Sequence, residues 1–313
     1  WLAVVGLMES IENESIVVTY IRHFWSSKYG LTREKELYEA IKKKVTSKQA
    51  AIDFISELEA CATNYIALLN SQHEVWTKYG QSARQAIDTF SLFHIEQNRP
   101  LLLAVLSRFK PAEAVEAMKM LVALSVRHAV TGKTGGGSSE TGYSDAASKV
   151  MAGTIGDAQS LKVLLETFNP TDEEFEMAFA VSTVTKSPIA RYYLRSLERF
   201  HLKDPEPELV PNTNQEEVNL EHILPQNPST AWKLPADQMK KLYKRIGNLT
   251  LMSSSVNSAA ENATFAEKLK FYKASKLFLT NQLTGYSDWS ESEITRRQSG
   301  MAKAAREIWA LKV

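Results

Sequence analysis

Residues 218–225 read VNLEHILP, and residues 247–252 read GNLTLM. Each is a short apolar run of strand length that ends or begins at a residue typical of turns. The segment between them, PADQMKKLYKRI, begins at Pro235, and proline is favoured in the first turn of a helix. These three segments predict two short strands separated by a helix in the C-terminal third of the chain.

Helices are predicted on the C-terminal side of the strands. Phe265, Leu269 and Tyr272 lie on one face of the first helical stretch because their spacing follows the helical period. A final helix begins at Ser290, with Glu293 at the offset of a capping box, and runs to Trp309.

Residues 10–200 have helical periodicity and no hairpin signal. Five apolar residues after Ser47 alternate at spacings of four and three: Phe54, Leu58, Cys61, Tyr65 and Leu68. Pro111 stands at the start of a long apolar-rich helix, and Thr171 with Glu174 has capping-box spacing. The predicted fold class is therefore mainly α, with a helical domain followed by a small two-stranded module.

Two segments interrupt the helical pattern. Residues 203–217, KDPEPELVPNTNQEE, contain three prolines and several acids, and they predict a linker between a domain at 1–202 and a domain at 218–313. Residues 131–144, TGKTGGGSSETGYS, predict a mobile loop. The GKT at 132–134 is not a Walker loop, because the position five before Gly132 is Arg127 and not glycine.

The amino-acid composition excludes several classes of protein. With 313 residues, 44% hydrophobic, the chain is long enough for a substantial core and is not globally disordered. Its single cysteine excludes a disulfide framework and fits a reducing, cytoplasmic location. The longest apolar run, WLAVVGLM, is too short for a membrane span. The chain opens at Trp1 without an initiator methionine, so we expect it to be the C-terminal part of a longer protein.

The net charge of +1 hides a segregated charge distribution. Residues 204–221 contain six acids and no base, whereas residues 233–276 contain nine basic and three acidic residues. A basic stretch of this kind binds phosphates by releasing counterions. The near-neutral total therefore does not exclude a nucleic-acid partner.

The candidate chemistry lies at Glu221 and His222. Alternation along a strand points adjacent side chains to opposite faces, so the two share a site only where the strand ends, as Pro225 predicts. Asn248 follows in the second strand segment, and Asn257 stands nine residues beyond it. A histidine can deprotonate water, and oxygen ligands can bind a divalent ion. Together these groups are suited to the hydrolysis of phosphodiesters. The alternative is a strand histidine with turn asparagines and no catalytic role.

The runs EHILPQ, RIGNLTLM and VNSAAENATFAEK resemble the HNH (His-Me finger) nuclease domain of GmrSD-type and SspE-type proteins. These are modification-dependent restriction and phage-defence enzymes. The helical stretch resembles the connecting region of the same family. The resemblance implies a ββα-metal (HNH-like) module with C-terminal helices, and a ParB/sulfiredoxin-like domain preceding Trp1 as a partner.

Carried over residue by residue, the resemblance makes His222 the general base. It makes Glu221 and Asn257 ligands of a divalent metal, Mg²⁺ or Mn²⁺, and it makes Asn248 the residue that orients His222 or the scissile phosphate. Three further residues are substrate-contact candidates: Arg245, Asn262 and Lys268. The chain departs from many HNH sequences at Ala260, where those sequences have lysine.

The resemblance implies a metal-dependent endonuclease that nicks or cleaves modified or foreign DNA. Two HNH sites on a homodimer would give double-strand cleavage. The alternative is a non-catalytic helical DNA- or protein-binding module whose HNH-like end is degenerate.

Overall fold

A computed structural model describes residues 2–9, 15–133, 137–202, 218–228, 232, 235–253 and 263–313. The described chain is mainly helical, which agrees with the mainly α part of the predicted fold class. It divides into two compact units. The first comprises Trp1–Asn169 with Leu311–Val313, and the second comprises Pro170–Ala310.

The described part of the first unit is built from helices and short 3₁₀ turns. The helices are α1 (Leu2–Glu9), α2 (Ile16–Tyr29), α3 (Glu34–Lys44), α4 (Lys48–Ala67), α5 (Gln81–Leu92), α6 (Arg99–Arg108), α7 (Pro111–Thr131), α8 (Gly137–Met151) and α9 (Ala158–Leu165). As predicted, Pro111 opens α7, and the Ser47 hydroxyl caps α4 by accepting the N–H of Ala50 at 3.1 Å. Leu58 and Tyr65 of the predicted apolar face of α4 are fully buried.

The loop predicted at 131–144 is wrong for residues 137–144, which form the first half of α8. The reason is tertiary packing: Tyr143, Ala146 and Ala147 are buried where α8 packs on α2 and α6. Burial of that face outweighs the low helix propensity of the glycines and serines. Gly132 ends α7 in the left-handed conformation, as a C-terminal helix cap.

The second unit combines helices with one antiparallel strand pair. Its elements are α10 (Asp172–Val181), α11 (Ser187–Leu202), β1 (Val218–His222), α12 (Ala236–Leu242), β2 (Leu249–Ser253), α13 (Phe265–Ala274), α14 (Phe278–Asn281) and α15 (Glu291–Ile308). In the β1–β2 register, Glu221 lies opposite Thr250 and His222 lies opposite Leu249. A 3₁₀ turn at Ile246–Asn248 leads directly into β2.

The boundary between the units lies at 169/170, whereas the sequence predicted it at 203–217. The helices α10 and α11 belong to the second unit because both pack on α15. The indole of Trp309 contacts the rings of Phe175, Phe179 and Tyr193, with ring centroids 5.6–6.2 Å apart. The capping box of Thr171 and Glu174 is confirmed and begins the unit's first helix. The predicted linker itself lies outside the described residues.

The core of the second unit positions the end of β1. Its buried members come from the residues just after β1, from β2 and from the helices and turns around them: Ile223, Leu224, Leu242, Met252, Phe265, Tyr272, Leu283, Trp289 and Ile294. Because Ile223 and Leu224 are fully buried, the chain that leaves His222 is anchored in this core. No helix within the described ranges is long and apolar enough to cross a membrane.

Candidate active site

The last two residues of β1 occupy different environments. Glu221 is only 5% exposed and faces α13, whereas His222 is half-buried and its ring lies 6.0 Å from the ring of Tyr243. This separation follows from strand alternation, as the sequence predicts. His222 is also the last residue of the strand, as Pro225 suggests.

Glu221 belongs to a buried polar cluster with Lys268 and Tyr272 of α13. The Lys268 ammonium donates to Glu221 Oε1 at 2.7 Å and to the backbone carbonyl of His222 at 2.9 Å. The Tyr272 hydroxyl donates to the same Oε1 at 3.2 Å. Burial raises the pKa of Glu221, and the Lys268 ammonium opposes that rise. Burial likewise lowers the pKa of Lys268, and Glu221 opposes that fall. The 2.7 Å distance between Lys268 Nζ and Glu221 Oε1 is that of an ion pair.

Lys268 differs from the sequence expectation of a DNA contact. Its side chain has 0% exposure, because it shares the inward face of α13 with Phe265 and Tyr272. An ammonium held by a carboxylate and a carbonyl inside the core does not reach a phosphate. In this geometry Lys268 ties α13 to the last two residues of β1.

The imidazole of His222 is poised to be neutral. Burial lowers the pKa of His222 from its ordinary 6.5, and the positive charges of Lys268 and Lys244 lower it further. No residue of the described ranges hydrogen-bonds the ring. A neutral, half-exposed imidazole that no described residue hydrogen-bonds can accept a proton from water.

Asn248 is fully buried, and its amide bonds the backbone at Leu224 and Tyr243 and the side chain of Trp289. Its Oδ1 accepts the N–H of Leu224 at 2.8 Å and the indole N–H of Trp289 at 2.9 Å. Its Nδ2 donates to the carbonyls of Leu224 at 2.9 Å and Tyr243 at 3.1 Å. The amide therefore fixes the chain two residues after His222, and any orienting effect on the ring passes through that chain.

Arg297 supports this turn, and the sequence reasoning did not find it. Its Nη1 donates to the carbonyls of Gly247 at 2.7 Å and Leu249 at 2.8 Å, on either side of Asn248. Its guanidinium is buried, which lowers the pKa of Arg297 to about 10 and leaves it charged at neutral pH. Arg297 follows Arg296 on a helix rich in polar residues, and nothing in that pattern signals that one of the two binds backbone carbonyls.

Gly247 is required by the close approach of α15. A Cβ at this position would lie 2.5 Å from the carbonyl oxygen of Ile294 and 2.7 Å from the Cβ of Gln298. Both distances are too short for any side chain. The glycine therefore lets the turn that carries Asn248 contact α15 directly.

Arg245, expected to contact substrate, is used inside the fold. Its guanidinium donates to Gln298 Oε1 at 2.9 Å, to Thr295 Oγ1 at 3.1 Å and to the carbonyl of Ala180 at 2.8 Å. These bonds join α10, the 3₁₀ turn and α15. In this arrangement Arg245 braces the unit and is not directed at a ligand.

The remaining predicted site residues, Asn257 and Asn262, lie outside the described residues, as does Lys233. Within the described ranges, no three residues among His, Cys, Asp and Glu cluster as a metal site. Glu221 is the described residue that could contribute to one, and both of its side-chain hydrogen bonds reach Oε1. A hard carboxylate oxygen with an amide oxygen from Asn257 fits the donor chemistry of Mg²⁺ or Mn²⁺.

Much of the predicted basic stretch is on the surface. Five of its lysines are exposed: Lys240, Lys241, Lys270, Lys273 and Lys276. They belong to α12, to α13 and to the residues just after it, on the elements that flank β1. Exposed lysines of this kind are suited to contact with a polyanion.

Comparison with protein-family models matches residues 169–304 to a family described as GmrSD restriction endonucleases, C-terminal domain. This range nearly coincides with the second structural unit, Pro170–Ala310. It includes the strand pair, the cluster around Glu221 and the Asn248 turn. No curated protein matches the chain.

Proposed function

We propose that this chain hydrolyses DNA phosphodiester bonds with His222 as general base, because its residues 169–304 match the family of GmrSD restriction endonuclease C-terminal domains. The observation that carries the proposal is the state of His222. It ends β1 half-exposed, with a lowered pKa and a ring that no described residue hydrogen-bonds. A general base needs this combination of neutrality and access.

In the proposed reaction the imidazole of His222 takes a proton from the attacking water. The surrounding residues keep the ring in place. Lys268 holds the carbonyl of His222, and Asn248 holds Leu224 two residues on. Because both contacts are to backbone atoms, they restrict the position of His222 without consuming its ring nitrogens. Lys268 and Asn248 are positioning residues in this scheme.

Metal dependence is part of the proposal. Glu221 and Asn257 would hold a divalent ion, Mg²⁺ or Mn²⁺, in a module formed by β1, β2 and α13. When bound, such an ion neutralises charge that develops on the phosphoryl and leaving oxygens. Support comes from the hard oxygen donor of Glu221 and from the strand–strand–helix order of the described elements.

The proposed substrate is modified or foreign DNA. The exposed lysines of α12 and α13 would contact its phosphates, with Asn262 as a further contact. Recognition of the modification is assigned to a ParB/sulfiredoxin-like domain preceding Trp1. Cleavage of both DNA strands is assigned to a homodimer with two such sites. These assignments rest on the family resemblance, and the lysine surface supports only the phosphate contacts.

The test is cleavage of supercoiled plasmid and of DNA carrying modified bases, in Mg²⁺, Mn²⁺ or EDTA. We expect the wild type to nick or cut, His222→Ala to be inactive, and EDTA to abolish the reaction. His201→Ala is the matched control, since His201 is a half-buried histidine of the same unit that stacks on Phe278. Cleavage that survives in His222→Ala or in EDTA contradicts the proposal.

One observation favours a second candidate, a DNA-binding module without catalysis. The carboxylate of Glu221 already has a cation 2.7 Å away in Lys268, which is the arrangement of a structural ion pair. That candidate predicts DNA binding that falls with added salt, no metal binding and no cleavage by the wild type on any DNA. Calorimetric titration of the wild type with Mn²⁺ separates the two.

A further inference from the structure

Two basic residues of the candidate site are committed to the fold. The Lys268 ammonium is bonded to the Glu221 carboxylate and to the backbone carbonyl of His222. The Arg245 guanidinium is bonded to residues of α10 and α15. Neither cation is therefore available to a phosphate, although negative charge develops on the phosphoryl oxygens during hydrolysis.

Lys244 lies beside His222 and is not committed in this way. Its Nζ is 5.2 Å from the centroid of the Tyr243 ring, and the centroid of the His222 imidazole is 6.0 Å from that of the same ring. Lys244 is half-buried, and no acidic side chain in the described part of the chain pairs with it. The ammonium and the imidazole therefore border one site, with the Tyr243 ring next to both.

The described charges that act on the imidazole are positive. Lys268 and Lys244 each lower the pKa of His222. The charge of Lys268 is offset by the Glu221 carboxylate 2.7 Å away, whereas Lys244 has no such counter-charge among the described residues. A site with an uncompensated cation attracts anionic groups, and the phosphate of a DNA backbone is one of them.

The backbone holds the proposed base and Lys244 in a fixed relation. The Asn248 amide bonds the backbone of Leu224, two residues after the base, and the carbonyl of Tyr243, one residue before Lys244. The carbonyl of Lys244 in turn accepts the N–H of Val184 at 2.8 Å. A base and a cation placed in advance of substrate binding are the requirement for catalysis by positioning.

We propose that Lys244 contacts the phosphate group that is cleaved, the role that the sequence suggested for Lys268. The inference rests on the proposed function, because it presupposes that His222 is the base. The water oxygen forms the new bond to phosphorus as its proton passes to His222. The bond to the leaving oxygen breaks, and that oxygen takes a proton from solvent. Lys244 forms no covalent bond and supplies positive charge to a phosphoryl oxygen.

The first measurement is the cleavage rate at saturating Mg²⁺. Lys244→Gln should lower the rate by about 10²–10³-fold, the usual effect of removing one group that stabilises charge in the transition state. Lys244→Arg keeps the charge and should recover most of the rate. Lys303→Gln, at an exposed lysine of α15, is the control and should cleave like the wild type.

The second measurement needs no cleavage. Binding of a short DNA duplex in EDTA is followed by fluorescence anisotropy at several salt concentrations. Lys244→Gln should reduce the slope of log K against log salt by about 0.9, the value for one lost phosphate contact, and Lys244→Arg should not. If the wild type cleaves no DNA, the proposed function fails, and this slope alone decides whether Lys244 contacts a phosphate.

Two outcomes would overturn the inference. A wild-type cleavage rate together with a wild-type salt slope in Lys244→Gln would remove Lys244 from the phosphate and leave the assignment of His222 intact. A lowered Tm in Lys244→Gln, with neither rate nor slope recovered in Lys244→Arg, would make the lysine structural.

Discussion

Glu221 and His222 are neighbours in one strand, yet the fold treats them in opposite ways. Glu221 is buried and bonded to Lys268 and Tyr272, whereas His222 is half-exposed and its ring is not bonded by any described residue. Strand alternation alone produces this division, because it sends one side chain to the core and the next away from it. One face of β1 belongs to the core, and the other carries the proposed general base.

The largest expected effect is on catalysis, from a substitution on the face of β1 that carries His222. His222→Ala should lower the cleavage rate by about 10²–10⁴-fold, the usual contribution of a general base. Because the ring makes no described hydrogen bond, thermal stability should change little. Cleavage rate and Tm measured on the same preparation test both statements. A large fall in Tm would mean that His222 has a structural role. The two faces of β1 would then both contribute to stability.

The next largest effect is on stability, from a substitution at the buried face of β1 that carries Glu221. Lys268→Met removes the counter-charge of a buried carboxylate and should lower the free energy of unfolding by about 3–5 kcal/mol. Urea denaturation measures the change. Lys270→Met, two residues along the same helix but exposed, is the matched control and should stay within about 0.5 kcal/mol of wild type.

The same pair of variants tests whether Glu221 can bind a metal. If it can, Mn²⁺ should raise the Tm of Lys268→Met by replacing the lost positive charge, and it should raise the Tm of Lys270→Met much less. Equal shifts in the two variants would argue that Glu221 has only a structural role.

A smaller effect is expected at the turn that carries Asn248. Gly247→Ala puts a methyl group 2.5 Å from the carbonyl of Ile294, so the turn must move away from α15. Overpacking of this kind costs about 1–3 kcal/mol, measured by urea denaturation. Gly285→Ala, at a glycine with open space around the added Cβ, is the control. If Gly247→Ala were as stable as the control, the close approach would not constrain the turn.

The pH dependence of cleavage should reflect the lowered pKa of His222. A base whose pKa lies below 6.5 stays neutral to more acidic pH, so activity should persist below pH 6.5 and fall only under the lowered pKa. The profile of kcat/KM against pH, at saturating metal, reports this pKa for the free enzyme. An acidic limb with its midpoint above 6.5 would contradict the assignment.

The smallest effect is expected from the exposed lysines of α13. Changing Lys270 and Lys273 to glutamine should weaken DNA binding uniformly across sequences. Each lost phosphate contact should reduce the slope of log K against log salt by about 0.9. Fluorescence anisotropy at several salt concentrations measures the slope. A slope equal to that of wild type would remove these two lysines from the DNA surface.

Local patterns in the sequence predicted most of the elements. Proline and capping residues located the starts of α7 and α10, and apolar runs located both strands. One available signal was overlooked: Thr264 and Glu267 form a capping box that begins α13. Such features depend on residues three or four apart, so they can be read directly from the chain.

The roles of the basic residues could not be predicted in this way. Lys268 and Lys270 are equivalent in composition and charge, and only the strand 46–47 residues earlier determines that one is buried. Arg245 and Arg297 bond to backbone carbonyls whose positions depend on the folded turn. The domain boundary was misplaced for a related reason, because a proline-rich segment interrupts the chain inside the second unit.

The bond between Trp289 and Asn248 has a practical consequence. The indole of Trp289 is 2% exposed, and its N–H contacts the amide that fixes the segment after His222. Indole emission is sensitive to the loss of such a hydrogen bond and to the entry of water. In a variant whose other five tryptophans are replaced by phenylalanine, Trp289 would be an intrinsic fluorophore inside the site. Its emission would report, in real time, on movements of the turn when DNA or a metal binds.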